Sequence, residues 1–138
     1  MTYASAILFA GFSVWMCLPE VALAFTSRKG ARVNPVSTEV FEVVPTAGGT
    51  GMDYWCGAGD YAMRALDAPL TDMVYVYRGL GPSETSHRRS AVQFTLNAVL
   101  LEQEEAGQGA AALNRLRTGD AMRIRSALGY CHQLPEGF

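Results

Sequence analysis

Hydrophobic and polar positions divide the chain into an apolar leader and a longer part with short alternating and helical patterns. Residues 4–18 carry no charge and are mostly apolar, and Pro19 follows them. The leader ends in Ala22-Leu23-Ala24. Small residues therefore stand at the first and third positions before the bond between Ala24 and Phe25. An apolar core, a helix breaker and an A-x-A sequence are typical of an export signal that is removed from the mature protein.

These features predict a signal peptide over residues 1–24, cleaved between Ala24 and Phe25, and one exported domain over residues 25–138. No Lys or Arg precedes the apolar run, so a start codon further upstream stays open. A membrane anchor or a buried helix is the alternative, but the run is shorter than the roughly 20 residues that span a bilayer. We therefore predict a periplasmic or secreted protein with no membrane span after cleavage.

Three stretches of the exported part are typical of β-strands. Residues 39–44 place Phe41 and Val43 on one face, and Pro45 ends the stretch. Residues 73–78 are β-branched and aromatic, and residues 90–96 alternate strictly. In 90–96 the even positions are predicted to point inward and the odd positions outward, in a strand antiparallel to 73–78. Shorter strands are predicted at 33–36, an edge strand because it contains Pro35, and at 121–125.

The clearest helix is predicted over residues 53–66, where apolar residues recur at helical spacing. Asp53 is predicted to accept free backbone N–H groups at its start. Gly57 and Gly59 weaken a helix by about 1 kcal/mol each, so close packing against a neighbour is expected there. Ser126 is predicted to begin a short C-terminal helix carrying Leu128, Cys131 and Leu134. Residues 99–106 fit a helical turn or a continued strand, and 110–117 contain good helix formers.

Together these elements predict a small α+β fold. Its sheet is mainly antiparallel, has four to five strands and is covered on one face by helices. Residues 25–34 are predicted to form an extended or irregular arm. The exported part is large enough to bury a core as a single domain.

Cysteine usage adds one covalent link to this picture. Cys17 leaves with the leader, so Cys56 and Cys131 remain in the exported part. Two cysteines in an oxidising compartment favour a disulfide, here joining the first helix to the last. The alternative is two unlinked thiols, one of them reactive. The formal net charge of −2 and the lack of a charge block give no indication of nucleic-acid binding.

Cys56 and His87 are the candidate catalytic residues. The dipole of a helix start stabilises a thiolate, and a histidine just before a strand can act as its base. The order of these parts resembles papain-like thiol hydrolases, on the pieces Tyr54-Trp55-Cys56-Gly57 and His87 before Ala91-Val92-Gln93-Phe94. No third orienting residue is evident, and Cys131 offers Cys56 a disulfide partner instead. His132 with Cys131 and Cys56 lacks metal-site spacing, so no metal or other cofactor is predicted.

The loop before the strand at 90–96 is the candidate binding segment. Ser83, Thr85, His87, Arg88 and Arg89 offer several hydrogen-bond donors to an anion or an acidic partner. The alternative is a solvated loop tip with no ligand.

Several short sequences resemble a group of small uncharacterised exported proteins of alphaproteobacteria. They are Ala24-Phe25-Thr26, Val33-Asn34-Pro35-Val36, Phe41-Glu42-Val43, Asp53-Tyr54-Trp55-Cys56-Gly57-Ala58-Gly59-Asp60-Tyr61-Ala62 and Ser90-Ala91-Val92-Gln93-Phe94-Thr95-Leu96. The resemblance covers most of the exported part and implies a periplasmic location, but it implies no activity.

These observations favour an exported, disulfide-linked domain that binds a partner or an anionic ligand rather than catalysing a reaction. A thiol hydrolase using Cys56 and His87 is the first alternative. The second is a structural accessory subunit of an envelope complex that docks through the N-terminal arm.

Overall fold

The fold is taken from a computed structural model of the chain. The structure describes residues 11, 13, 14, 24–103 and 116–133. The predicted leader therefore lies almost wholly outside the described residues. The same is true of Leu134 and of residues 110–115, which belong to the segment 110–117 with good helix formers. The signal peptide and its cleavage stay predictions.

A six-stranded antiparallel sheet forms the centre of the described domain. Its strands are β1 (Phe25–Thr26), β2 (Arg32–Pro35), β3 (Val40–Val44), β4 (Met73–Gly81), β5 (Ala91–Thr95) and β6 (Ala121–Arg123). They lie side by side in the order β1-β2-β3-β5-β4-β6. Two α-helices accompany the sheet, α1 (Gly51–Arg64) and α2 (Ile124–Gly129), together with 3₁₀ turns at Ala98–Gln103 and Tyr130–His132. The predicted α+β class is confirmed.

The predicted strand count of four to five was too low. The additional strand is β1, which lies in the segment predicted as an irregular arm and pairs Phe25 with Val33 and Thr26 with Arg32. A left-handed backbone at Gly30, with φ of 83°, closes the turn between β1 and β2. A strand of two residues is too short to produce an alternating pattern, so hydrophobic periodicity could not reveal it.

Helix α1 lies between the sheet and α2. Trp55, Ala58 and Ala62 are fully buried, and the Trp55 ring meets the Phe94 ring of β5 edge to face with centroids 5.3 Å apart. The helix begins at Gly51, two residues earlier than predicted, because a glycine gives no helix signal. Asp53 still accepts the N–H of Thr50, at 2.7 Å, from one turn inside the helix.

Gly57 lies where α1 contacts the sheet, and Gly59 lies where α1 contacts α2. The sequence predicted close packing at both positions, because glycine lowers the stability of a helix. A Cβ atom on Gly57 would stand 2.6 Å from Cγ1 of Val43, on the sheet side. A Cβ atom on Gly59 would stand 2.8 Å from Cβ of Ala127, on the α2 side. The two glycines therefore allow the helix to approach both neighbours closely.

Gly57→Ala is expected to destabilise the domain by about 1–2 kcal/mol, because overpacking against Val43 exceeds the gain in helix propensity. Urea unfolding at equilibrium measures the change. Gly129→Ala is the matched control, since nothing lies within 4 Å of its added Cβ, and it should be neutral or slightly stabilising. The Gly57→Ala/Val43→Ala double variant should lose less free energy of unfolding than the two single variants lose together. If the two losses simply add, the side chains at positions 43 and 57 do not compete for space.

The face of the sheet opposite the helices is also covered, which corrects the prediction for 90–96. Gln93 is 2% exposed and Thr95 is 0% exposed, although both were predicted to point to solvent. Glu42 of β3, on the same face, is 0% exposed. Residues 83–85 of the loop after β4 lie over this face and donate to Glu42. Alternation therefore located the two faces of β5 correctly but not the burial of the second one.

The C-terminal elements differ slightly from their prediction. Strand β6 ends at Arg123 and α2 begins at Ile124, so the predicted strand 121–125 was too long and the helix start at Ser126 too late. Residues 98–103 form a 3₁₀ turn, the helical one of the two alternatives for 99–106, while residues 104–106 lie outside the described residues. The Sγ atoms of Cys56 and Cys131 lie 2.14 Å apart, at disulfide distance, so the predicted pairing is confirmed. None of the helices in the described ranges is long and apolar enough to cross a membrane.

Candidate functional site

A row of four polar residues crosses the sheet on the face opposite the helices. Asn34 of β2 pairs with Glu42 of β3, Glu42 pairs with Gln93 of β5, and Gln93 pairs with Arg78 of β4. Residues directly opposite each other in a sheet share a face. We call these four residues the polar row.

A β-bulge brings Arg78 into this row. Val74 and Val76 point into the core, so regular alternation would turn residue 78 to the core as well. The register instead shifts between Val76, opposite Phe94, and Arg78, opposite Gln93, which leaves Tyr77 as the extra residue. A bulge of this kind re-aims the following side chain, and here it turns the guanidinium towards Glu42.

The Glu42 carboxylate is fully buried and is enclosed by the loop after β4. It accepts hydrogen bonds from Ser83 Oγ at 2.7 Å, from the backbone N–H of Glu84 at 2.9 Å and from that of Thr85 at 3.1 Å. The Thr85 hydroxyl also donates to it. Arg78 Nη2 lies 3.6 Å away, and the same nitrogen donates to the carbonyl of Pro82 at 2.7 Å. Glu42 thus fixes residues 82–85 on the sheet, a contact set that we call the Glu42 clamp.

The donors of the clamp determine the charge state of Glu42. Burial alone raises the pKa of a carboxyl group. The hydrogen bonds from the side chains and backbone of Thr85, Ser83 and Glu84 outweigh burial, so the pKa of Glu42 lies below its ordinary value of 4.5. The carboxylate is therefore ionised at neutral pH, which keeps all of its acceptor sites available.

The predicted binding loop divides into two parts with different roles. The hydroxyl groups of Ser83 and Thr85 donate hydrogen bonds to the Glu42 carboxylate. The Thr85 hydroxyl also accepts a hydrogen bond from Asn34 Nδ2 at 3.0 Å. These two residues therefore bind an anion inside the protein rather than a ligand outside it. His87, Arg88 and Arg89 are exposed beyond the clamped part of the loop.

The exposed part of the loop lines two adjoining clefts. The first, of about 540 Å³, we call the Arg32 cleft; its walls are Ala24, Arg32, Asn34, Pro35, Val44, Pro45, Thr46, Thr85, Ser86 and Arg88. The second, of about 390 Å³, we call the His87 cleft; its walls are Pro45, Thr46, Ala47, Gly48, Gly49, Tyr54, Leu80, His87, Arg88, Arg89 and Ser90. Both clefts share Pro45, Thr46 and Arg88, so together they form one surface, the basic groove.

The charge of the groove is of one sign. Arg32, Arg88 and Arg89 line it together with His87, and neither Asp nor Glu is among its lining residues. Ion pairs between described residues all use Arg28, Arg64 or Arg78. A third cleft, lined by Phe41, Tyr61 and Leu96 among others, contains Glu39 and no cationic side chain. Of these three clefts, only the two that form the groove present unpaired guanidinium groups.

Comparison with known proteins gives no further guidance. No protein-family model, curated protein or solved structure matches the chain.

The structure does not bring the two candidate catalytic residues together. Cys56 is fully buried in α1, and its sulfur lies at bonding distance from Cys131. His87 is exposed in the loop on the groove, and no hydrogen bond between described residues joins it to Cys56. Within the same ranges, no three His, Cys, Asp or Glu side chains gather as they would around a metal ion. The geometry thus provides no support for the thiol-hydrolase alternative.

The N-terminal arm, which was predicted as a docking segment, is folded onto its own domain. The Phe25 ring packs edge to face on Tyr61, with centroids 5.2 Å apart. The buried carboxylate of Asp60 accepts from the N–H of Arg28 at 2.9 Å and from Arg64 Nε at 2.7 Å. These contacts hold Phe25 and Arg28 against helix α1, and the accessory-subunit alternative stays a hypothesis.

Sequence reasoning did not identify Glu42, Arg32 or Thr46 as site residues. A signal for Glu42 was present, because apolar residues stand on both sides of it at 40, 41, 43 and 44. Such a strand is buried on both faces, and an acid within it needs partners. Arg32 and Thr46 carry no comparable signal, since only the fold places them beside the loop that contains Arg88.

Proposed function

We propose that this chain is an exported binding domain that holds an anionic ligand, bearing carboxylate or phosphate groups, in the basic groove. The observation that carries the proposal is the lining of the groove: three arginines and a histidine with no acidic side chain among them. Guanidinium groups bind carboxylate and phosphate through paired, charge-assisted hydrogen bonds. Clefts of a few hundred Å³ are of the size that accepts small ligands.

The Glu42 clamp supports this proposal because it fixes the loop that carries the cations. Residues 82–85 are tied to the sheet by hydrogen bonds to a buried carboxylate, and Arg88 follows three residues later. The backbone carbonyl of Arg88 also accepts from the N–H of Ser83 at 3.0 Å. A site held in position before binding loses less conformational entropy when its ligand arrives.

A non-catalytic role and an exported location are parts of the same proposal. His87 has no hydrogen-bonded orienting group among the described residues, and the buried Cys56 is paired with Cys131. A disulfide between these cysteines agrees with an oxidising compartment such as the periplasm.

Arg32→Gln combined with Arg88→Gln is expected to weaken anion binding at least about tenfold, because each lost charge-assisted contact contributes about 1.5–3 kcal/mol. The probes are inorganic phosphate and citrate, titrated into the exported protein and followed by the arginine Nε–Hε signals in NMR spectra. Arg125→Gln is the matched control, since Arg125 is exposed on α2 and lines neither cleft. Equal affinities for the double variant and the control, or no binding of either probe, would contradict the proposal.

A further inference from the structure

Ala24, the last residue of the predicted leader, forms part of the wall of the Arg32 cleft, beside Arg32, Asn34 and Arg88. Phe25 follows it directly and pairs with Val33 as the first residue of β1. The bond predicted to be cleaved on export therefore lies at the edge of the basic groove.

The position of Phe25 is fixed by side-chain contacts that do not depend on the leader. Its ring packs on Tyr61, and the Arg64 guanidinium lies over the same ring, 4.6 Å from the centroid. Arg64 is itself held by the buried carboxylate of Asp60 and donates to the carbonyl of Thr26 at 3.2 Å. After cleavage, these contacts would hold the new chain end where Phe25 now lies.

We propose that cleavage between Ala24 and Phe25 places the new α-ammonium group of Phe25 in the Arg32 cleft, as a further binding residue for the anionic ligand. This inference rests on the proposed function. Hydrolysis of the bond by a signal peptidase consumes one water molecule, which leaves a carboxylate on Ala24 and an amine on Phe25. The carboxylate departs with the leader, and the amine takes up a proton.

The chemistry of the new chain end suits the groove. An α-amino group has an ordinary pKa of about 7.7–8.0, so most of it carries a positive charge at pH 7. It offers three N–H donors where the neutral peptide bond offered one. Departure of residues 1–24 also removes the part of the cleft wall that Ala24 forms. The exported form should therefore bind the anion more tightly than the precursor.

The sequence allows the amine to be modified selectively. Lys29 is the only lysine in the chain, and its Nζ donates to the carbonyl of Gln133 at 3.0 Å, away from the residues that line the groove. In Lys29→Arg protein, purified after export, the α-amino group is the only primary amine. Acetylating it removes the charge while Arg32 and Arg88 stay intact.

The experiment compares phosphate affinity before and after acetylation, on protein whose N-terminus has been read by intact mass. We expect acetylation to weaken phosphate binding about fivefold to tenfold. The unmodified protein should also lose affinity between pH 7 and pH 9 more steeply than the acetylated protein. Unmodified Lys29→Arg and wild-type proteins should bind phosphate equally.

The other outcomes separate the inference from the proposed function. A mass that does not begin at Phe25, or equal affinities and pH profiles before and after acetylation, overturns the inference. If in that case the Arg32→Gln/Arg88→Gln variant still loses binding, the proposed function stands. If neither phosphate nor citrate binds any form of the protein, both fail together.

Discussion

Replacing Cys56 and Cys131 together by alanine is expected to lower the free energy of unfolding by about 4 kcal/mol. The two residues are 75 positions apart, so the bond between them closes a loop of more than half the chain. Linking such distant points restricts the unfolded chain far more than the folded one. The bond joins α1 to the 3₁₀ turn after α2, elements that already pack against each other.

Equilibrium urea unfolding of the oxidised wild type, the reduced wild type and the double variant measures this effect. Reduction should destabilise the wild type by nearly as much as the double substitution does, and reductant should have no effect on the double variant. Alkylation of the folded protein without reductant should label neither cysteine. A wild type that is alkylated at Cys56 and indifferent to reductant would contradict the disulfide, and would restore the hypothesis of a catalytic thiol.

The elements with strong periodicity could be predicted from the sequence. Strands β3 and β5 and helix α1 each have a repeating apolar pattern, and each was found at its predicted place within a few residues. The pairing of Cys56 with Cys131 followed from cysteine arithmetic alone. The two-residue strand β1 and the bulge at Tyr77 were not predictable, since both depend on partner strands and leave no repeating pattern.

The candidate site was predictable only in part. His87, Arg88 and Arg89 were identified as exposed donors, but Ser83 and Thr85 were assigned the same role and instead bind Glu42. That contact joins positions about forty residues apart, and no local pattern encodes it. The groove forms because β3 and the loop after β4 meet on one face of the sheet. The alternation of β5 suggested a solvent-exposed face there, and the loop covers it.

Glu42→Ala is expected to destabilise the domain by about 3–5 kcal/mol at neutral pH, the range found when one partner of a buried charged contact is removed. The change deletes the acceptor of Ser83, Glu84 and Thr85. It leaves the Arg78 guanidinium with the carbonyl of Pro82 and with the exposed Glu84 carboxylate, 3.5 Å away, as its remaining carboxylate partner. Glu42→Gln should cost less, because the amide keeps the volume and one acceptor oxygen. Loss of the clamp should also make residues 82–90 accessible to limited proteolysis and weaken anion binding in the groove.

The pH dependence of stability tests whether the ionised form of the Glu42 carboxylate is what stabilises the domain. Because the pKa of Glu42 is below 4.5 in the folded protein, its contribution is complete above the unfolded value and declines as pH falls from 4.5 through the folded pKa. The stability difference between wild type and Glu42→Gln should therefore be constant from about pH 6 to 8, where the carboxyl group is ionised in both the folded and the unfolded protein, and should shrink towards zero in acid. Glu84→Gln, on the same loop but exposed, is the matched control and should cost less than about 1 kcal/mol at any pH. Two results would show that the loop is held by its backbone packing and not by the buried carboxylate. One is an equal loss in free energy of unfolding for Glu84→Gln and Glu42→Gln. The other is a difference between wild type and Glu42→Gln that persists unchanged in acid.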